Sequence, residues 1–194
     1  MVLPPDINCS ASGFEVEKID GQNTRDELGV RYALSAIKNV GSEAMTRLTE
    51  IRNADGPFHS LEEFLKRLPR EVINRRQMEG LVRAGALDEL YSNRRELIEN
   101  MDQILSHADA LRREAESSQD NLFGSDDVAI GDSIRLRHIA DWVGVDRLTQ
   151  EFDSLGLYLS AHPLDSYATQ LERLGVTTLA MLNEAVAAGR PPQR

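Results

Sequence analysis

The sequence has little of what several protein classes require. Cys9 is the single cysteine among 194 residues, which excludes an internal disulfide and a cysteine-based metal site. Aromatic residues make up only 5% of the chain, which disfavours a β-sandwich or barrel. No apolar run is long enough to span a bilayer, and Met1 to Asp6 lacks the charged and apolar regions of a signal peptide. These absences predict a cytoplasmic protein with no membrane partner.

Positive charge is also scarce. The formal net charge is −10, which argues against a general nucleic-acid coat, because non-specific affinity for DNA comes mainly from Lys and Arg. The distribution is uneven, however, with basic residues in the middle of the chain and acidic ones after them. The basic residues are Lys66, Arg67, Arg70, Arg75, Arg76, Arg83, Arg94 and Arg95. Any DNA-binding face should therefore lie before about Arg95.

Motifs of common enzymes are absent. The chain contains no His-Glu-x-x-His, no phosphate-loop Gly-Lys-Ser and no nucleophile elbow. The best candidates for an independent enzyme are His138 with Asp141, followed by His107, Asp109 and His162. Two ligands at helical spacing are too few for a metal site. The sequence therefore predicts no catalytic and no metal-binding residue, with a separate enzyme kept as an alternative.

Leu, Ala, Glu and Arg are plentiful, and this composition predicts a mainly α-helical fold. Residues 1–32 are expected to be irregular or partly extended, and residues 33–116 to form the helices of a tandem helix-hairpin-helix domain. Residues 117–131 have mostly short side chains, are acidic and contain glycine, which predicts an exposed linker. Residues 132–194 are expected to form short helices.

Capping signals place several helix boundaries. Ser42 is expected to cap one helix, and Ser60 with Glu63 predicts a capping box at the start of the next. A further helix should run from Asn74 to Gly85, where glycine suits a left-handed C-cap.

Residues 33–48 fit a helix-hairpin-helix, in which an apolar residue and a tight turn precede a helix bearing the small residue Ala44. The candidate DNA-backbone-binding residues of this hairpin are Ile37, Lys38, Asn39, Val40 and Gly41. Backbone N–H groups at the start of the second helix are unsatisfied within the helix and favoured by its dipole, so they can bind a phosphate oxygen. Such contacts hold DNA without reading its sequence. Asn39 stands where most such hairpins have glycine, but asparagine tolerates the left-handed conformation.

A more degenerate second hairpin spans Gly80 to Leu90, with Ala84-Gly85-Ala86 as its turn and Arg83 nearby. For this copy, phosphate binding through Arg83 and Gly85 and a purely structural αα-hairpin are equally supported.

Asn93 to Glu116 has apolar residues every three or four positions, which predicts one long amphipathic helix. Beyond it, Gln119, Leu122 and Phe123 place a glutamine three residues before an apolar pair within the predicted linker. A partner pocket could bury the pair, and the glutamine amide could fix the register. Composition alone favours the alternative, in which the pair packs on the chain's own core.

Four segments together resemble the alpha subunit of bacterial DNA polymerase III, over nearly the whole chain and in the same order. They are Leu3 to Asn8, Ile37 to Gly41 (similar to the family's I-K-G-V-G hairpin), Leu81 to Asp88, and Leu155 to Leu164. In that family the internal clamp-binding pentapeptide lies between these landmarks, where Gln119 to Phe123 resembles its Q-x-x-L-F pattern. The resemblance therefore reverses the preference for core packing of Leu122 and Phe123.

The resemblance implies a segment between the fingers and the OB-fold that holds double-stranded primer-template DNA and docks on the β sliding clamp. It implies no catalysis and no cofactor here, since the palm, where the parent polymerase would need Mg²⁺, lies upstream. Other holoenzyme subunits would bind through regions outside these residues. Two alternatives remain: the equivalent module of an error-prone C-family polymerase, and a repair-type helix-hairpin-helix module.

Overall fold

A computed structural model describes residues 1–19, 27–120 and 134–189. The chain divides into two compact units, Met1–Ser160 and Ala161–Arg194. Helices dominate both, which confirms the prediction of a mainly α-helical fold. No helix in the described ranges is long and apolar enough to cross a membrane.

The first unit begins with a small sheet of three strands, β1 (Val2–Leu3), β2 (Glu15–Ile19) and β3 (Glu27–Arg31). The strand order is β1-β3-β2, with β1 parallel and β2 antiparallel to β3. Val30 of β3 faces both Val2 and Val16 in register. The sheet gives the partly extended opening of the chain a definite structure.

In the described part of the first unit, six helices surround one apolar core. Their bounds are α1 Ser42–Asp55, α2 Leu61–Arg67, α3 Arg75–Ala84, α4 Arg94–Glu99, α5 Met101–Asp120 and α6 Val145–Leu155, and a 3-10 turn at Leu34–Ala36 precedes them. The largest fully buried side chains include Phe58, Phe64, Ile37, Met45 and Met78. Helix α3 packs against α4, α5 and α6, so it is central to the arrangement.

Local hydrogen bonds explain where these helices begin. Asn74 caps α3 in a capping box with Gln77, as each side chain accepts the other's backbone N–H. Ser60 accepts the N–H of Glu63 as predicted, but the Glu63 carboxylate bonds the N–H of His59 instead of that of Ser60.

Three predicted boundaries differ from the structure. Gly41 is the N-cap of α1 without any side-chain cap, because the helix already includes Ser42. The predicted single helix from Asn93 is broken at Asn100, which ends α4 with φ −103° and ψ 15°. Helix α5 then continues to Asp120, into the segment predicted to be a linker.

The second unit contains a 3-10 turn, Asp165–Tyr167, and helices α7 (Ala168–Arg173) and α8 (Leu179–Ala187). The Thr178 hydroxyl caps α8 by accepting the N–H of Met181 at 3.3 Å.

Candidate nucleic-acid interface

The turn between the 3-10 segment and α1 is anchored in the core by some of its residues and exposed to solvent at the others. Ile37 and Val40 are buried in the core, whereas Lys38, Asn39 and Gly41 are exposed. Asn39 has φ 68°, the single positive φ of a non-glycine residue in the described ranges. Asn39 therefore adopts the left-handed conformation, which an asparagine at this position was expected to tolerate.

The backbone N–H groups of this turn are not equivalent. The Lys38 N–H donates to the carbonyl of Ser154 at 2.9 Å, and the Val40 N–H donates to that of Ile37 at 3.1 Å. Within the described ranges, the N–H groups of Gly41, Ser42 and the next two residues of α1 have no acceptor. The donors available to a ligand are thus those at the helix start, with the dipole of the 14-residue α1 behind them.

Gly80 brings α3 into direct contact with the turn. A Cβ atom at Gly80 would lie 2.8 Å from Cγ2 of Val40 and 3.0 Å from the backbone oxygen of Lys38. Any larger residue would push the turn off the helix. The sequence signal was a glycine inside a helical pattern, which often marks a close packing contact.

Cationic side chains surround the turn. Arg76 of α3 donates to Oδ1 of Asn39 at 3.1 Å, and no carboxylate pairs with Arg76 in the described ranges. Arg83 lines a cleft of about 450 Å³ together with Lys38 and Asn39. This cleft also contains Asp153 and Gln150 of α6. Arg83 pairs with Glu79 at 3.3 Å, so its charge is partly neutralised, whereas Lys38 and Arg76 keep theirs.

In the second predicted turn, the backbone N–H groups of Gly85 and Ala86 are already hydrogen-bonded within the chain. Gly85 has φ 81°, its N–H donates to Val82, and the N–H of Ala86 donates to Leu81, which is the Schellman pattern at a helix end. A Cβ atom at Gly85 would lie 2.0 Å from Nη2 of Arg94. Because the Gly85 N–H is already used, the geometry supports a packing role for this glycine.

The buried Arg94 forms two hydrogen bonds to Asp88, at 2.8 and 2.7 Å, and a third to the carbonyl of Arg83 at 3.2 Å. Arg147 of α6 also reaches Asp88, at 2.9 Å. These ion pairs join the helix ends around Gly85.

The other predicted site residues lie apart from the turn. Gln119 is in the last turn of α5, while Leu122 and Phe123 lie outside the described residues. His138 contacts Glu96, and Asp141 bonds Arg95 and Arg147, so the histidine and aspartate do not form a pair. Within the described ranges, no group of three or more His, Cys, Asp or Glu side chains is placed to hold a metal ion.

The exposed turn, its left-handed residue and the free N–H groups of the following helix define a helix-hairpin-helix. A family model described as the helix-hairpin-helix motif matches residues 1–97, half of the chain. The chain belongs to this family.

Longer relatives extend the similarity beyond the motif. The chain is 38% identical over 96% of its length to the DNA polymerase III subunit alpha of Caulobacter vibrioides. It is 35% identical over 93% of its length to the same subunit of Neisseria meningitidis serogroup B, and 36% identical over 95% to that of Thermus aquaticus. These matches confirm the resemblance seen in the sequence. The chain spans about 15% of the length of the Caulobacter protein.

Proposed function

We propose that this chain acts as a segment of a DNA polymerase III alpha subunit and holds the backbone of double-stranded primer-template DNA through its helix-hairpin-helix. The free N–H groups at the start of α1 carry this proposal. A phosphate oxygen placed there accepts hydrogen bonds and benefits from the helix dipole. Lys38 and Arg76 add positive charge beside the turn, in a chain whose formal net charge is −10.

Ser42→Pro tests the role of the backbone directly. Ser42 is the first residue of α1, where proline is well accepted, and Gly41 has φ −80° and ψ 135°, a conformation that suits a residue before proline. The substitution removes one N–H and leaves the helix in place. Duplex affinity, measured by fluorescence anisotropy at low salt, should fall by roughly ten- to hundredfold, since a hydrogen bond to a charged group contributes about 1.5–3 kcal/mol.

Two controls separate the N–H from other effects. Ser42→Ala removes the hydroxyl, keeps the N–H and should bind as the wild type does. Leu179→Pro places proline at the same position of α8, after the cap Thr178, and should also leave affinity unchanged. Equal affinity of Ser42→Pro and the wild type would show that α1 does not hold the phosphate.

We also propose that Gln119, Leu122 and Phe123 dock on the β sliding clamp. The support is their pattern and their position between the matched segments, in the order that the resemblance requires. Calorimetry with the β clamp should give binding for the wild type and none for Leu122→Ala with Phe123→Ala, because truncated hot-spot anchors typically cost about 2 kcal/mol or more each. The paired control is Leu174→Ala with Leu179→Ala, two exposed leucines of the second unit. Failure of the wild type to bind would contradict the docking proposal and favour an error-prone or repair-type module.

The activity of the longer protein is part of the same proposal. The matched relatives are alpha subunits of DNA polymerase III. We propose that the longer protein carries out DNA-directed DNA synthesis in chromosomal replication, in the cytoplasm. Catalysis, the Mg²⁺ that it needs and contacts with other holoenzyme subunits are assigned to regions outside this chain. The isolated chain should therefore show no nucleotide incorporation.

A further inference from the structure

Residues Ile134–Asp141, here called the strap, follow one face of α5 and α4. The strap has no helix or strand of its own. It runs opposite to the helices: its first residue bonds Glu62 of α2, and Asp141 accepts the N–H of Arg95 at the start of α4.

Side chains on the helices bind the strap by its backbone. Asn100 accepts the N–H of Arg137 at 3.0 Å and donates to the carbonyl of the same residue at 3.0 Å. Glu96 accepts the N–H of Ile139 at 3.1 Å, while Asn93 donates to the Ile139 carbonyl at 2.7 Å. Both polar backbone groups of Arg137 and Ile139 are thus satisfied by amide and carboxylate groups.

The spacing of the partners is regular. Gln103 donates to the carbonyl of Arg135 at 2.7 Å, so the contacted strap residues are every second one. Their partners Asn93, Glu96, Asn100 and Gln103 are three or four residues apart, which places them on one helix face. Each step of two residues along the strap thus corresponds to a step of three or four residues along the helices. The break at Asn100 lies in the middle of this face.

Glu96 is the electrostatic centre of the contact. It is buried, and it accepts hydrogen bonds from the Tyr91 hydroxyl and the Ile139 N–H, with Nδ1 of His138 at 2.9 Å. The Tyr91 hydroxyl, the Ile139 N–H and His138 together hold the pKa of Glu96 below its ordinary value. Burial and the Glu96 carboxylate raise the pKa of Tyr91 to about 12. Glu96 is therefore ionised at neutral pH and Tyr91 remains a donor.

Few apolar contacts reinforce these bonds. Ile134 and Leu136 are half-buried against the core, whereas Arg135, Arg137 and His138 are exposed, and no strap side chain is fully buried. Segments with few buried apolar contacts open at lower free energy than the core does.

We propose that the helix face formed by Asn93, Glu96, Asn100 and Gln103 binds an extended backbone. We propose further that the strap detaches from this face as a unit while the helical core stays folded. The consequence for clamp docking rests on the proposed function above. In the sequence, Leu122 and Phe123 precede the strap. A bound strap therefore fixes the following chain at Ile134, whereas after release the next fixed point in the chain is the start of α6.

Hydrogen exchange of the whole chain tests the proposal, with Glu96→Gln as the variant and Glu99→Gln as the control. Gln is nearly isosteric, and Glu99 is an exposed residue of the same helix. In the wild type, the amides of Arg137 and Ile139 should exchange faster than those of Met78 and Leu81 in the core. Glu96→Gln should accelerate the strap amides roughly tenfold, since hydrogen bonds to charged groups are the stronger ones. The core amides should keep their wild-type rates, and Glu99→Gln should change neither set.

Two outcomes would overturn the proposal. One is unchanged exchange of the strap amides in Glu96→Gln, and the other is acceleration of strap and core by the same factor, which would mean that they open together.

Gln103→Ala provides a second variant if Glu96→Gln does not fold, because Gln103 is exposed and the substitution removes the bond to Arg135. It should accelerate the neighbouring strap amides by roughly threefold to tenfold. Clamp binding of the wild type is measured separately, and its absence would contradict docking without affecting the exchange result.

Discussion

Gly85→Ala should destabilise this protein far more than the same substitution at a second glycine of the same conformation. Gly85 has φ 81° and ψ 12° at the end of α3, and Gly156 has φ 77° and ψ 7° at the end of α6. Alanine in this left-handed conformation costs about 1–2 kcal/mol at either position. The surroundings differ, because a Cβ at Gly156 meets no atom within 4 Å, whereas at Gly85 it meets the Arg94 guanidinium at 2.0 Å.

The clash forces Arg94 away from Asp88. Arg94 is buried and its two hydrogen bonds to Asp88 are 2.8 and 2.7 Å long, so movement separates a partly buried ion pair. Separating a fully buried pair costs about 3–5 kcal/mol, and the exposed part of Asp88 reduces this to about 2–3 kcal/mol. The expected loss in free energy of unfolding is therefore about 3–5 kcal/mol for Gly85→Ala and about 1–2 kcal/mol for Gly156→Ala.

Urea unfolding followed by far-ultraviolet circular dichroism measures both losses. Equal losses would show that Arg94 finds another position without cost, and the packing argument would fail. Duplex affinity of the folded Gly85→Ala variant provides the second readout. A large loss of affinity with unchanged stability would instead place Gly85 in contact with phosphate.

Three further predictions concern the hairpin and the strap. Asn39→Ala should lower the free energy of unfolding by about 1–2 kcal/mol and should also lower duplex affinity. Asn39→Gly should change the free energy of unfolding by less than about 1 kcal/mol, because glycine accepts φ 68°. Urea unfolding and fluorescence anisotropy test this, and equal effects of the two variants would contradict the strain argument. Duplex affinity should depend weakly on salt, with a slope of about −1 to −2 in a double-logarithmic plot if one or two phosphates are bound, and a slope near zero would exclude phosphate contact. The lowered pKa of Glu96 stabilises the strap above the ordinary carboxyl value of 4.5, and this contribution is lost as the pH falls through the lower folded pKa. The fluorescence of Trp142, the single tryptophan, should therefore change below about pH 4.5 in the wild type and not in Glu96→Gln, and identical titrations would refute the assignment.

Features governed by neighbouring residues could be predicted from the sequence. The start of α3 at Asn74, its end at Gly85 and the tight turn at Asn39 all depend on local caps or on backbone preference. The N-cap of α1 was misplaced by one residue because Ser42 is the better side-chain cap, yet the turn leaves Gly41 extended and begins the helix at Ser42.

Features that depend on distant residues could not be predicted. The periodicity of Asn93 to Glu116 is uninterrupted in apolar positions, and the break at Asn100 becomes intelligible only when its amide is seen bonding Arg137. Gly85 carried a signal for a turn, but the choice between binding phosphate and admitting Arg94 required the position of that side chain. Local patterns in the sequence therefore located the hairpin but not the contacts that support it.

The hairpin depends on residues well beyond the matched family model. The Lys38 N–H and the Tyr32 hydroxyl donate to the carbonyls of Ser154 and Leu155, the last two residues of α6, at 2.9 Å each. The last two carbonyls of α6 are thus capped by Tyr32 and Lys38, and the N–H of Lys38, the first residue of the turn, is satisfied by α6. The residues linking α5 to α6 include the strap, so the backbone contacts of the strap and the support of the hairpin belong to one continuous stretch of chain. The proposed phosphate-binding turn is therefore completed by a segment that follows the proposed clamp-docking residues in the sequence.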